Sequence, residues 1–372
     1  MANIGTGKNM SKAEYDSSSD NKKENERLKT QASTIEVFDG HVMDEFIDAI
    51  VQSGKQQGET IYILELGGAD MNGARVSRYN DRFFKKIEEL GYKVQIVNAE
   101  YNEKAIEDAD REYGDMFNNI NVDLNKDPEN ALTDIVSKYN NGNKFDMIFS
   151  NYVLQHLVDP KSVMSAVKSV LSEKGLSMHR VPDDNLKING FYLNGQPNEK
   201  ANESATGIVN LFLTTLTRAR TDRRLGGKMF DVCTSGYAGQ EGCNFNTVYD
   251  RIATEVVDES STNDNKKKYL IRDFRWYMFA LEEAGQETDD PEFKNICLNA
   301  AMKAKAYYSI LEKEFLQEGA SYQYGEHEII VSNGLQLTNS SKTIENIDEN
   351  RKVTTINRLL INEKNQNLNP TM

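Results

Sequence analysis

Between residues 60 and 181 the chain alternates five short, nearly continuous apolar runs with four longer segments whose apolar residues fall three and four apart. The runs are Ile61–Leu66, Tyr92–Ala99, Ile120–Val122, Phe145–Ser150 and Gly175–Val181. The segments between them are Asp81–Leu90, Asn102–Tyr113, Pro128–Lys138 and Pro160–Leu171. A run this short with no polar alternation reads as a strand buried on both faces, and the spacing of the segments reads as amphipathic helix. Parallel strands need crossover helices, so the alternation predicts an α/β fold with a doubly wound, mostly parallel sheet. Right-handed crossovers then put every strand's C-terminal end on one edge, where ligands of such sheets bind.

Outside this block the pattern is looser. Residues 1–21 are Ser-, Asn- and Lys-rich, and helices are expected over Lys22–Gln31 and Thr34–Ser53, the second with Ile35, Phe38, Val42, Phe46 and Ile50 on one stripe. Asp183–Ala205 reads as loop, Ile208–Cys233 as mostly helical and Asn244–Val257 as strand. Residues 264–283 and 291–317 read as helices and Ser321–Ser332 as a last strand, complete near Gly334. The stretch from Leu335 to Met372 is polar and Asn-rich and is expected to pack loosely.

Charge narrows the function. The net charge is −14, and no long basic run offers a phosphate-binding face, which argues against a nucleic-acid partner. Lys266-Lys267-Lys268 is read as a solvated helix start. Cys233, Cys243 and Cys297 are odd in number and lack metal-ligand spacing, and the four histidines form no HxxxH pair, so neither bound metal nor a disulfide framework is expected. With no apolar leader and no stretch near the roughly 20 residues of a membrane span, a cytoplasmic protein without a membrane partner is expected.

Four segments carry chemistry. Ile63-Leu64-Glu65-Leu66-Gly67-Gly68-Ala69-Asp70 puts an acid and two glycines at the end of the first strand, where glycine lets a ligand approach the backbone. Val94–Glu100 ends the second strand on an acid, and Ile120-Asn121-Val122-Asp123-Leu124 ends the third on another. The run Phe145-Asp146-Met147-Ile148-Phe149-Ser150-Asn151-Tyr152-Val153-Leu154-Gln155-His156-Leu157-Val158-Asp159-Pro160 is the most specific, and Val170–Leu176 follows it.

In this order the segments resemble class I S-adenosylmethionine-dependent methyltransferases of the bacterial small-molecule type. That resemblance implies a Rossmann-like, seven-stranded sheet with helical insertions forming a lid, and S-adenosylmethionine as cofactor. It implies cofactor contacts from Glu65, Gly67, Gly68, Glu100, Asp123, Leu124, Ser150, Asn151 and Gln155. The glycine segment departs from the family's pattern, since Ala69 stands at the second glycine and Gly73 comes late. Glu100 is read as holding the ribose hydroxyls, with Asn98 competing and a helix-capping role for Glu100 left open. Asp123 either neighbours the adenine or forms a turn.

The resemblance also divides the chain. Residues 1–33 form an arm and cover helix and 34–334 the methyltransferase domain, with substrate-side insertions at 183–215 and 258–318. Residues 335–372 form the tail. Tyr15-Asp16, Glu24–Gln31 and Asp222–Lys228 resemble flanking segments of the family. The acceptor is expected beyond the fifth strand, near Asp183 and Arg223, with His156 and Asp184 as candidate catalytic groups. His156 reads equally as a packing residue, His179 as a buried one, and Asp183 and Asp184 as a turn. The expected activity is methyl transfer to a small-molecule oxygen or nitrogen acceptor. A silent cofactor-binding regulator or scaffold is the alternative, and the missing G-x-G-x-x-G weighs against a nicotinamide enzyme.

Overall fold

The computed structural model describes residues 44, 46–68, 83–113, 117–216, 224–237, 239–335, 344–345 and 351–361. Lys22–Gln31, the first part of Thr34–Ser53, the turn after Gly68 and Arg223 lie outside these residues. The alternation expected from sequence is present: α1 (46–53), β1 (Thr60–Leu66), α2 (Lys85–Glu89), β2 (Lys93–Glu100), α3 (Glu103–Tyr113), β3 (Asn118–Asn121), α4 (Pro128–Tyr139), β4 (Phe145–Asn151), α5 (Pro160–Val170) and β5 (Leu171–Val181). These five strands are parallel, in the spatial order β3-β2-β1-β4-β5.

Side chains of β1 explain its central place. Ile61 and Ile63 enter one core with Phe46, Ile50 and Phe83, while Leu64 and Leu66 enter the core on the opposite face with Val97, Ile148 and Val163. Both faces are covered, so the run is apolar throughout, and burying each such residue is worth roughly 1.5–3 kcal/mol. Helix starts are written in Asp-Pro pairs. Asp127, Asp159 and Asp290 accept backbone N–H groups of the first turn, and Pro128, Pro160 and Pro291 occupy positions where an N–H has no partner.

After β5 come the hairpin β6 (Phe191–Leu193) and β7 (Gln196–Pro197), α6 (Glu199–Thr215), α7 (Gly226–Cys233), the small ribbon β8 (Gly236–Tyr237) and β9 (Gln240–Glu241), and β10 (Thr247–Val257). Helix α8 (Asn263–Leu270) runs through a π-helical turn at Ile271–Arg275 into α9 (Trp276–Glu287), and α10 (Pro291–Phe315) leads to β11 (Ala320–Ser332). Strand β11 lies antiparallel between β5 and β10. The loop expected over Asp183–Ala205 therefore gives way to helix at Glu199, because Asn198 caps it through the Ala201 N–H. Lys266, read as solvated, is buried with its Nζ over the Phe315 ring.

The sheet does not stop at seven strands. Arg351–Ile361 forms β13, antiparallel to β10 from Thr247↔Ile361 to Val257↔Arg351, and β12 (Ile344–Glu345) pairs with β13. The stretch from Leu335 was expected to pack loosely, but Val353-Thr354-Thr355-Ile356 is β-branched and completes an edge that β10 would otherwise leave open.

Strand β11 outruns its partner. Residues 327–332 pair with β5, whereas Ala320–Tyr322 pair with β6 beyond the end of the parallel strands. Over this projecting half sit α6, α8, α9 and α10 with a core of their own, built on Ile208, Phe212, Tyr277, Leu281 and Ala304. No described helix is long and apolar enough to cross a membrane.

Candidate active site

The C-terminal edge of the parallel strands holds the residues that sequence singled out. Gly67 has φ +66°, and its N–H donates to Ala99 O at 2.7 Å, stitching the turn after β1 to the end of β2. A Cβ on Gly67 would lie 2.4 Å from Val153 Cγ2, and one on Gly68 would lie 2.3 Å from Glu65 Cδ and 2.4 Å from Asn98 Oδ1. Glu65 and Asn98 are register partners across β1 and β2, and both are buried. Gly68 thus closes a narrow polar cradle that no larger residue fits.

Asn98 Nδ2 donates to Asn119 Oδ1 at 2.8 Å, while its buried Oδ1 accepts no hydrogen bond among the described residues. Glu100, at the end of β2, holds the turn that leads into α3: its Oε1 accepts the N–H groups of Tyr101 and Asn102, both at 2.9 Å, and Asn102 caps the helix by accepting the Ala105 N–H at 3.1 Å. Val122 N–H donates to Glu100 O, which brings the segment after β3 alongside. There Asp123 forms a turn, accepting Asn125 N–H and lying 3.3 Å from Lys126 Nζ, and Leu124 is buried in the core.

From β4, Asn151 and Gln155 reach the same edge. Gln155 is buried and its Oε1 is unpartnered among the described residues, while its Nε2 donates to Tyr152 O. Ser150 is different. Its Oγ is committed to His179 Nδ1 at 2.8 Å, and Ser177 Oγ meets His179 Nε2 at 2.7 Å, so the three form a sealed link inside the sheet. His179 is therefore a buried histidine, as one sequence reading had it, and burial lowers its pKa to about 3.

The sign of the resulting pH dependence follows. The unfolded chain protonates His179 near the ordinary value of about 6.5 and the folded one does not, so its contribution to stability is present above about 6.5 and is lost as pH falls toward about 3. Urea unfolding of the wild type should lose midpoint between pH 6.5 and 5. His179→Gln, which keeps hydrogen-bonding capacity without titrating, should lose less over that interval. Equal slopes would show that His179 is not the group responsible.

The acceptor-side expectations meet a buried ionic seam. Asp183 caps the turn at Asp184–Leu186 and lies 3.8 Å from His327 Nε2, whose Nδ1 meets Asp250 at 2.8 Å. Asp184 is fully buried, 3.7 Å from Lys187 Nζ, and Lys187 is 3.9 Å from Asp273. His156 is half-buried on a single 3₁₀ turn, Leu154–His156.

Residues that the sequence reading passed over complete the seam. Arg272 and Asp273, turned inward by the π-helical turn, pair at 2.7 and 2.9 Å, and the Arg272 guanidinium lies between the rings of Tyr269 and Tyr324. Arg180 and Arg251 both hold Glu328, at 2.9 and 2.6 Å. Glu326, two residues before it on the same face of β11, has Tyr324 OH on its Oε1, and its Oε2 is 3.7 Å from Arg180 Nε. Tyr152, directly after β4, holds φ +57°, a region bulky side chains avoid, and its buried hydroxyl lies beside Glu326. The one available signal was position, since Tyr152 belongs to the strand-four segment. The seam joins residues as far apart as Arg180 and Glu328, which no local pattern reveals.

Residues 80–219 match the sequence model of a family described as a methyltransferase domain. No curated protein sequence matches the chain. Among solved structures, a candidate sarcosine dimethylglycine methyltransferase from Galdieria sulphuraria is 13% identical, with 79% of this chain and 87% of that one covered and a TM-score of 0.36. The phosphoethanolamine N-methyltransferase 2 of Haemonchus contortus, in complex with S-adenosylmethionine, is 11% identical, covering 79% and 53%, with a TM-score of 0.35. The citrinin polyketide synthase C-methyltransferase domain is 15% identical, covering 35% of this chain at a TM-score of 0.28, and the chain spans only 31% of that structure's length.

Proposed function

We infer that this chain, whose residues 80–219 match a methyltransferase-domain family model, is an S-adenosylmethionine-dependent enzyme of class I that transfers a methyl group to an oxygen or nitrogen of a small molecule. The observation that carries the reading is the cradle at Gly68. It lies between two buried polar side chains at the ligand edge of the sheet, one of which, Asn98, has an oxygen that accepts no hydrogen bond among the described residues. A cofactor with amino and hydroxyl donors fits such a place. Glu65, Gly67 and Gly68 would hold its amino-acid end and Glu100 its ribose, while Asp123, Leu124, Asn151 and Gln155 would flank its base. The Ser150 hydroxyl, already taken by His179, would contribute through the sheet rather than by contact.

When bound, S-adenosylmethionine supplies an electrophilic methyl carbon whose bond to sulfur breaks with the electron pair left on sulfur. The protein's part is to align an acceptor with that carbon, which can account for several kcal/mol of an upper range of about 7–11. The acceptor would lie beyond β5, near Asp183, Asp184 and His156. Calorimetric titration with S-adenosylhomocysteine and with NAD tests the reading: saturable binding of the first and none of the second is expected, and the reverse would overturn it.

Glu100 gives a finer test. Its Oε1 accepts the Tyr101 and Asn102 N–H groups, and in the proposed complex the same carboxylate would accept from a ribose hydroxyl. Losing a charge-assisted hydrogen bond typically costs about 1.5–3 kcal/mol, or roughly 10- to 200-fold in affinity. Glu100→Ala should weaken S-adenosylhomocysteine binding by that factor, and should also loosen the turn between β2 and α3. Asn98→Ala is the comparison. A larger loss there would move the ribose contact two residues back, and no loss in either would remove the site.

A further inference from the structure

We propose that Glu326 is the group that takes the acceptor's proton, with Tyr152 positioning the acceptor against it. The proposal rests on the methyltransferase reading and adds to it a residue far from any sequence motif of the domain. It starts from an atom that ought to have a partner. Glu326 is 2% exposed, yet its Oε2 accepts no hydrogen bond among the described residues. Buried carboxylate oxygens without donors are rare enough to need a reason.

The place of that oxygen supplies one. The virtual Cβ of Gly67 touches Val153, Val153 follows Tyr152, and the Tyr152 hydroxyl lies beside Glu326. The cofactor cradle and the carboxylate are therefore joined through two consecutive residues after β4. Tyr152 keeps its left-handed backbone there, with its N–H donated to Arg180 O at 3.0 Å. Strain of this kind in a bulky residue, held by neighbours, is found disproportionately where a side chain must be aimed.

Other carboxylates in the seam are spent. Asp184 faces Lys187, Asp273 is paired in two bonds with Arg272, and Glu328 is held by two arginines. Glu326 has one oxygen on Tyr324, and the other, 3.7 Å from Arg180 Nε and beside the Tyr152 hydroxyl, accepts no well-formed hydrogen bond among the described residues. Its charged surroundings come from every element around it: Tyr152 after β4, Arg180 on β5, Lys187 after the 3₁₀ turn, Arg272 on the π-helical turn, and Tyr324 and Glu328 on β11. Burial raises its pKa against the pull of Arg180 and Arg272, which suits a base that must accept a proton near neutral pH.

The step balances without a further reactant. The acceptor X–H, a hydroxyl or an amine, uses its lone pair to form the bond to the methyl carbon, the sulfur keeps the electrons of the bond that breaks, and the X–H proton moves to Glu326 Oε2. The sulfonium charge and the carboxylate charge both disappear, and solvent later removes the proton.

The test compares wild type with Glu326→Gln, Glu326→Asp and Tyr152→Phe. Two readouts are used besides S-adenosylhomocysteine affinity. The first is labelled product from isotopically labelled methyl donor incubated with a small-molecule extract of the source cells, measured against pH. Glu326→Gln should lose about 10²–10⁴-fold in turnover and lose the acid limb of the profile. Glu326→Asp should recover part of it, and Tyr152→Phe should raise KM more than it lowers kcat. The second is an infrared pH titration of the protein alone, in which one carboxyl stretch should titrate above the ordinary glutamate range and vanish in Glu326→Gln.

Cofactor affinity should stay within about twofold throughout. If Glu326→Gln does not fold, Tyr152→Phe and the wild-type infrared titration decide. Wild-type turnover with an unchanged pH profile in Glu326→Gln overturns the proposal, as does the absence of any such carboxyl. A wild type that binds no S-adenosylhomocysteine instead overturns the methyltransferase reading beneath it.

Discussion

Gly68→Ala should abolish measurable S-adenosylhomocysteine binding while leaving the protein folded. Gly68 does not need glycine for its backbone angles, because its φ lies outside the left-handed region. It needs glycine for space. The added methyl would sit 2.3 Å from Glu65 Cδ and 2.4 Å from Asn98 Oδ1, well inside contact distance, so both side chains must move out of the cradle. Overpacking of this kind costs about 1–3 kcal/mol in stability. The same displacement removes both polar walls from the ligand, and the loss of even two good hydrogen bonds amounts to about 100-fold or more in affinity. Gly58→Ala is the control. It carries a conformational penalty that Gly68→Ala lacks, its φ being +91°, but has nothing among the described residues within 4 Å to strike. Calorimetry on the two variants should find binding in the second and none in the first. Wild-type affinity in Gly68→Ala would show that the cofactor lies elsewhere.

How much of this site the sequence revealed depends on whether its parts are local. Strands β1, β2, β4 and β5 were visible because each holds a buried run between helices, whereas β3 is half-exposed and was marked by position in the series; the helix starts expected at Pro128, Pro160 and residue 291 are those of the fold. Glu65, Gly67 and Gly68 were visible for the same reason, being consecutive at a strand end. Glu100 carried two readings; its Oε1 accepts the Tyr101 and Asn102 N–H groups in the turn before α3, whereas the residue that caps the helix is Asn102. The family match begins at residue 80, so it does not include Glu65, Gly67 and Gly68.

The parts that stayed hidden are made by pairing across long stretches of chain. Strand β13 was concealed by the polar residues before it, because a strand's partner is not written in its own sequence. The seam needs β11 to project past β5, so that Glu326 and Tyr324, still paired with β10, lie beyond that strand and meet Tyr152 and Arg272. In the sequence, Ser321–Ser332 showed only an alternating strand. Its buried face carries tyrosines and carboxylates, Tyr322, Tyr324, Glu326 and Glu328, where alternation would lead one to expect apolar residues. That exception was the available signal. Lys187 and Arg272 gave none, since charged residues in helices and turns usually face solvent.

Glu328→Gln should have the largest effect on stability, about 3–5 kcal/mol, because it leaves two buried arginines without their shared counter-ion. Arg180, Arg251 and Glu328 are all 2% exposed or less, and the carboxylate accepts from Arg180 through one oxygen and from Arg251 through the other. Burial alone would raise the Glu328 pKa, but the charges and hydrogen bonds of Arg251 and Arg180 outweigh it and hold it at about 2. An unfolded glutamate titrates near 4.3. A depressed folded pKa means stability that is present above about 4.3 and is lost as pH falls toward about 2. Denaturant midpoints of the wild type should therefore drop over that interval, and Glu328→Gln should start lower and drop less. The same substitution has a second consequence two residues away. Glu328 and Glu326 share Arg180, and their surroundings push their pKa values in opposite directions. Without Glu328, Arg180 is free to pair fully with Glu326, so the raised carboxyl seen by infrared titration should move down toward the ordinary range. Loss of stability with no movement of that carboxyl would separate the two glutamates and confine Glu328 to holding the sheet together.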